Sequence, residues 1–314
     1  MTRESIEILV GGEALVDFVQ RGAGTDRVFA PTPGGSPLNV AVGLARLGRS
    51  VGFLGRLSRD PFGDVLRDHL ESNGVSMDYI ACGEGPSTLA FVVEHEGREP
   101  EYAFYAEAAA DRQISPLDLP AALPPTVRAI HVGSYSLVVE PIAAALLALV
   151  DREAGCLVSL DPNVRPSLVG DRETTRRRLD AWIARSDLVK LSRSDAAWVW
   201  PGMPPEELAA AWLADGRALV VLTDGERPAI GWTESTRVEI ELPLVNVVDT
   251  VGAGDAFTAG LLAWLGERDG LDATWVRSLS ATCLREALRF AAGVAALTCT
   301  RRGADPPMRS ELGP

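Results

Sequence analysis

Apolar runs of four or five residues recur along the chain and alternate with longer stretches whose apolar positions return every three or four residues. The short runs predict strands at 7–10, 51–54, 129–132, 157–160, 188–191 and 218–222. The helical periodicity predicts helices at 37–47, 64–72, 141–153, 172–184, 205–214, 253–265 and 274–297. This alternation is the pattern of an α/β protein: a mostly parallel sheet with helices on both faces.

Two segments break the rhythm. Residues 14–28 and 88–105 alternate apolar with polar positions, as in LAFVVEHEGREPEYAFY, with Glu96-Gly97 as the turn. A period of two predicts strands of a small separate sheet. Both segments adjoin glycine-rich or charged stretches, which suits a lid over a cleft; an ordinary surface hairpin fits the same pattern equally well. The chain shows neither repeat nor low-complexity tract, so 1–314 reads as one domain with lid strands inserted at about 14–33 and 88–108.

Charge narrows the partners. The 30 basic and 43 acidic residues leave a net charge of −13. A field of that sign repels phosphate backbones and anionic lipid, which argues against nucleic acid or a membrane surface as partner. The first residues, MTRESIEILVGGE, lack an apolar signal core, and the longest apolar stretches, such as 142–150, are too short to span a bilayer. Cys82, Cys156, Cys283 and Cys299 are scattered without a C-x-x-C pair. They read as reduced thiols of a cytoplasmic protein. Lys190 is the only lysine, and every other basic position is arginine. A G-x-x-x-x-G-K-[ST] phosphate loop is therefore excluded.

The sharpest local string is Asp249-Thr-Val-Gly-Ala-Gly-Asp-Ala-Phe257, which opens a helical run. Gly252 and Gly254 permit a tight turn and close backbone approach. The N–H groups of Gly252, Ala253, Gly254 and Asp255 would then face outward at a helix N-terminus, where free donors and the helix dipole attract an anion. Asp255 is placed to act as general base toward a hydroxyl while the amides face a transferring phosphoryl group. Taken alone, an aspartate there equally suits a helix cap.

Joined to Gly34-Gly-Ser-Pro-Leu-Asn39-Val-Ala-Val-Gly-Leu-Ala-Arg-Leu-Gly48, this string makes the chain resemble the ribokinase-like (PfkB-type) carbohydrate kinases. The likeness extends to Gly55-Arg-Leu-Ser-Arg-Asp60, Phe62-Gly63, Asp161-Pro-Asn-Val-Arg165 and Thr300-Arg-Arg-Gly-Ala-Asp-Pro-Pro307. The resemblance implies a three-layer α/β/α fold with a small β-sheet lid, and ATP-dependent phosphorylation of a sugar hydroxyl. It implies Asp255 as the base, with Gly252, Ala253 and Gly254 as the anion hole. Asp17, Gly34, Gly35 and Asn39 match sugar contacts, and Tyr105 and Arg165 match residues that reach the substrate from the lid and the sheet. Asn163 and Lys190, at the ends of neighbouring strands, match the nucleotide side, as do Thr223 and Gly225; the helix around 292–296 would border adenine. Magnesium would ride on ATP oxygens and water. A potassium site is implied at Asp249, Val251, Thr298, Arg301 and Gly303. A homodimer through the lid is also implied.

Two departures stand out. The family's N-x-x-E motif, linked to magnesium and phosphate handling, appears as Ser192-Arg-Ser-Asp195, and the second glycine of T-x-G-x-x-G is Pro228. For the substrate, Pro86-Ser-Thr-Leu-Ala-Phe91, Tyr102-Ala-Phe-Tyr105 and Arg302-Gly-Ala-Asp-Pro-Pro307 most resemble bacterial fructokinases. Glu107 stands where kinases of the carboxylate ketodeoxygluconate tend to carry a cation, so a neutral sugar is implied. Fructose comes first, then ribose or a nucleoside such as aminoimidazole riboside, then ketodeoxygluconate. Two other classes remain in view. A catalytically silent sugar-binding regulator would have no need of Asp255. A Rossmann dehydrogenase would need a G-x-G-x-x-G that does not follow Gly11-Gly12.

Overall fold

The computed structural model describes residues 5–21, 27–93 and 101–313. The first half runs β1 (Ile8–Gly11), β2 (Leu15–Arg21), β3 (Val28–Gly34), α1 (Ser36–Arg46), β4 (Val51–Ser58), α2 (Pro61–Ser72), β5 (Ile80–Gly83), β6 (Thr88–Val93) and β7 (Glu101–Tyr105). It continues through β8 (Ala129–Gly133), α3 (Ile142–Arg152), β9 (Leu157–Asp161), α4 (Pro166–Val169), α5 (Arg172–Ile183), β10 (Leu188–Ser192), α6 (Arg193–Val199) and α7 (Pro205–Ala214). The last part holds β11 (Leu219–Asp224), β12 (Arg227–Trp232), β13 (Arg237–Ile240), α8 (Ala253–Gly266), α9 (Ala273–Arg277) and α10 (Ala281–Cys299).

Nine strands form one sheet in the order β13-β12-β11-β10-β9-β8-β1-β4-β5. It is parallel from β11 to β5 and antiparallel only at the β12 and β13 edge. Successive side chains of a strand point to opposite faces, so a sheet covered on both sides needs apolar residues at every position. In β10 and β11, Leu188, Leu219 and Val221 enter the core shared with α1, α8 and α10. Val189, Leu191, Val220 and Leu222 enter the opposite core, shared with α3, α5, α6 and α7. That requirement is why these strands read as unbroken apolar runs.

Helix α8 is buried from Asp255 to Gly266. It lies between α1 and α10, and a Cβ at Gly260 would sit 2.9 Å from Ala291 Cα. The close packing fixes where the N-terminus of α8 points.

The remaining four strands form a small sheet, β3-β2-β6-β7. One face carries Leu15, Asp17, Val19, Thr32, Val92 and Phe104 toward a cavity. The other carries an aromatic cluster: Phe18 stacks on Phe91 at 4.8 Å, and Phe29 and Tyr105 meet Phe91 edge-on at 5.3 and 5.5 Å. The Glu96-Gly97 turn lies outside the described residues.

The helix expected over 274–297 is two helices. Ser280 accepts a hydrogen bond from the Cys283 N–H at 3.2 Å and starts α10 afresh, so the chain breaks at 278–280. The pattern also left out β5, α4, α6 and the β12–β13 hairpin. These elements are short, and β13 shows one buried face only.

Candidate active site

The open ends of β1, β8 and β9, the N-termini of α1 and α8, and the inner face of the small sheet enclose a cavity of about 360 Å³. Such a place, beyond the carboxyl ends of parallel strands, is where open α/β sheets present ligands. Asp255 lies at its floor, 5 % exposed. Its Oδ1 accepts from Ser36 Oγ at 2.7 Å and from Asn163 Nδ2 at 3.0 Å; its Oδ2 accepts from Asn39 Nδ2 at 2.8 Å. Burial pushes the carboxyl above its ordinary range, the Asn39 and Ser36 hydrogen bonds oppose this, Asp161 adds to it, and Lys190 pulls it back. A carboxylate so held is fixed in orientation and retains appetite for a proton.

Gly252 takes a left-handed conformation, φ 77°, and turns the chain into α8. The Ala253 N–H closes that turn on the Thr250 carbonyl at 3.2 Å. The N–H groups of Gly252, Gly254 and Asp255 find no acceptor among the described residues. The expected anion hole is thus left with these three donors, and Ala253 supplies the turn.

The sugar-side residues converge. Asp17, on β2, faces the cavity, and a Cβ on Gly34 would lie 2.2 Å from Asp17 Oδ2 and displace that carboxylate. Gly35, Asn39 and Arg165 line the same space. Asp17 receives no hydrogen bond from the described residues. Partial burial raises its pKa to about 7, opposed by Arg165 and reinforced by Asp255. Asn163 adopts φ 35°, which asparagine tolerates, and its amide bridges the site: Oδ1 accepts from Arg165 at 2.6 Å while Nδ2 donates to Ser36 and Asp255.

Tyr105 is a correction. Its residue number shares the parity of Phe91, across from which Ala103 pairs, so it lies on the outer face of the small sheet, 64 % exposed. Phe104, one position earlier, is the lid aromatic that reaches the cavity.

Ser192 and Asp195 meet but are used internally. The Ser192 hydroxyl and the Asp195 carboxylate form a capping box at α6, and Asp195 Oδ1 accepts from the Val164 N–H at 2.8 Å. Lys190 is likewise turned inward, donating to Asp161 Oδ2 at 2.7 Å. Thr223 and Gly225 stand at the end of β11, two strands along from β9, with Gly225 at φ 57°.

Of the expected cation ligands, Asp249, Val251 and Gly303 line the cavity. Asp249 Oδ2 accepts from the Gly303 N–H at 2.8 Å and Oδ1 from the Val251 N–H at 3.0 Å. The Thr298 carbonyl accepts from the Arg301 N–H at 3.0 Å, and the Arg301 guanidinium turns to Asp305 and Glu311. One pinned carboxylate among loop carbonyls is a donor set that fits a hard monovalent cation. Among the described residues no three of His, Cys, Asp or Glu gather as a metal cluster.

Sequence reasoning missed Ser36, which lies inside the Gly34–Asn39 string, and Glu13. Glu13 lines the cavity, accepts a hydrogen bond from Ser136, and is raised by burial to about 7. No helix among the described residues is long and apolar enough to cross a membrane.

Residues 6–311 match the model of the pfkB family carbohydrate kinases. A fructokinase of Rhizobium leguminosarum bv. trifolii is 40 % identical over 280 residues, 88 % of this chain and 85 % of that protein. The crystal structure of a fructokinase from Xylella fastidiosa with bound ATP superposes with TM-score 0.88 at 33 % identity, covering 98 % of this chain and 97 % of that one. A Vibrio cholerae O395 fructokinase double mutant, in its fructose, ADP and potassium ion bound form, gives 0.81 at 26 % identity over 97 % of this chain and 95 % of that one. The chain belongs to the pfkB family of carbohydrate kinases and is an ATP-dependent sugar kinase.

Proposed function

We propose that this pfkB-family kinase is a fructokinase that uses Asp255 as general base toward a primary hydroxyl of fructose. One observation carries the reading: a buried carboxylate, fixed by three donors, adjoins the unpaired N–H groups at the start of α8. The fructokinase likeness of its relatives supports the sugar.

In this reading Asp17 takes sugar hydroxyls on the lid side, and Gly34 and Gly35 let the ring approach the backbone. The acceptor hydroxyl gives its proton to Asp255 as its oxygen attacks the γ-phosphorus of ATP and the bond to the β-phosphate oxygen breaks. The Gly252, Gly254 and Asp255 amides face the charge on the phosphoryl oxygens. Magnesium, held by nucleotide oxygens and water, would neutralise phosphate charge. Potassium would be held by Asp249 with the carbonyls of Val251, Thr298, Arg301 and Gly303, steadying the loop that leads into α8. The half-exposed aromatic face of the small sheet supports a homodimer, and four unpaired cysteines suit a reducing cytoplasm.

The test is ADP release with fructose, ribose, aminoimidazole riboside and ketodeoxygluconate, each with magnesium and with or without potassium. The expected result is the highest kcat/KM on fructose, raised by potassium. A higher value on a riboside or on the sugar acid would overturn the substrate assignment.

A further inference from the structure

Four polar residues interrupt the apolar strands on one face of the sheet. Ala129, Leu157 and Leu188 belong to the core under α1, α8 and α10. The period of two puts His131, Ser159, Asp161 and Lys190 on that same face. All four are buried, with Lys190 the most exposed at 3 %. His131 Nδ1 meets Ser159 Oγ at 3.1 Å, Lys190 Nζ donates to Asp161 Oδ2 at 2.7 Å, and Thr258 Oγ1 reaches the same oxygen at 3.4 Å.

A buried ion pair is weak evidence of stability, because apolar residues of equal volume often serve as well or better. Its position is more informative. A Cβ on Gly254 would lie 3.0 Å from Lys190 Nζ, so the ammonium sits against the start of α8; Gly254 lines the cavity and Lys190 does not. Thr258, one turn into α8, has one hydroxyl proton to share between Asp161 and the Gly254 carbonyl, 3.1 Å away.

The surrounding charges leave this lysine a specific task. Asp161 of β9, Asp195 of α6 and Asp255 of α8 all act on it. His131 of β8 is held neutral, its pKa pushed down to about 3 by burial and by Lys190. On the cavity side, Asp255 also feels Asp17, which faces Arg165. One interior cation thus stands among three carboxylates, directly behind the donors that must receive a polyanion.

We propose that Lys190 and Asp161 are a positioning pair for phosphoryl transfer: Lys190 supplies positive charge behind the Gly254 and Asp255 backbone, and Asp161 holds it there, without either touching the nucleotide. The inference rests on the reading of Asp255 as base. Asp161 works against ionisation of Asp255 and Lys190 works for it, so the two effects oppose each other at the base.

The experiment compares Lys190→Met, the double variant Lys190→Met with Asp161→Asn, and Asp255→Asn in the full-length enzyme. Folding is checked by thermal unfolding, and activity is read as kcat, both KM values and the pH profile. Lys190→Met is expected to lower kcat about tenfold to a hundredfold, with KM for ATP held within about twofold, as for a group acting only in the transition state. Its acidic limb should move to higher pH. The double variant, which buries no unpaired charge, should fold like wild type and return the limb toward wild type, while kcat stays low because the positive charge is gone. If Lys190→Met fails to fold, the double variant decides alone, with a folded but slow enzyme supporting the pair and near-wild-type turnover overturning it. A raised KM for ATP at unchanged kcat would mean direct phosphate contact and overturn the proposal; a double variant restored to wild-type kcat would overturn it too. An inactive Asp255→Asn beside a wild-type Lys190→Met sinks the pair alone; a fully active Asp255→Asn sinks the base.

Discussion

The two walls of the cavity carry carboxylates in opposite states. On the α8 wall, Asp255 accepts from Ser36, Asn39 and Asn163 and is held in one orientation, with acceptor capacity left over. On the small-sheet wall, Asp17 receives no hydrogen bond from the described residues and feels only the field of Arg165 and Asp255. An acceptor already pinned by the protein is prepared for one event in one direction, the receipt of a proton. An acceptor left unsatisfied in a half-buried place gains most when a polyol supplies the missing donors. In the proposed fructokinase, the difference separates chemistry from recognition within one pocket.

The largest expected effect breaks the comparison at the α8 wall. Asp255→Asn keeps the shape and one acceptor but removes the base, and kcat should fall by about a hundredfold to ten-thousandfold. Sugar affinity, read by equilibrium titration, should change little. Equal losses in both would show that Asp255 belongs to recognition, and the contrast between the walls would disappear.

Next comes the small-sheet wall. Asp17→Asn should raise KM for the sugar about tenfold to a hundredfold, the value of one or two hydrogen bonds to a charged group, with a smaller effect on kcat. The same change should make the sugar-free protein more heat-stable at pH 8. The sign follows from a carboxyl whose pKa rises from 3.8 in the unfolded chain to about 7 in the fold. Its contribution to stability is complete below 3.8 and is lost as pH rises through 7, so replacing it removes a liability only on the alkaline side. Loss of sugar binding without this gain at pH 8 would mean that Asp17 is well solvated before the sugar arrives.

How much of this was readable in the chain depends on how far apart the partners are. The turn at Gly252 and the N-terminus of α8 are built from consecutive residues, so the string Asp249–Phe257 disclosed them. Its one error, counting the Ala253 N–H as free, came from a hydrogen bond to Thr250 that only the turn geometry reveals. Lys190, Asp161 and His131 are polar residues in otherwise apolar strands, but only the packing of Ala129, Leu157 and Leu188 into one core shows that they share a face. What period two cannot supply is register. Tyr105 was assigned to the pocket by its resemblance to substrate-contacting lid residues, yet pairing with Leu89 puts it outside and Phe104 inside. Glu13 was invisible for a different reason: its burial and its partner Ser136 are brought together across 123 residues.

Glu13 gives the smallest and most discriminating prediction. It adjoins the same cavity but stands between the two walls in character, with a hydroxyl donor from Ser136 and nearly complete burial. Burial raises its pKa from 4.5 to about 7, against the lowering effect of Ser136, and Asp111 adds slightly to the rise. As with Asp17, stability from this group is complete below pH 4.5 and declines until pH passes 7. The full decline corresponds to about 3 kcal/mol at about 1.4 kcal/mol per pH unit. Glu13→Gln retains an acceptor for Ser136 and carries no charge. Its thermal midpoint should therefore exceed wild type at pH 8, by about 5 °C for a chain of this size, and the two curves should converge by pH 4.5. A pH-independent difference would mean that the Ser136 hydrogen bond, and not the buried charge, sets the energetics there. In that case Glu13 would be a pinned acid like Asp255, and hydrogen-bond count alone would divide the pocket.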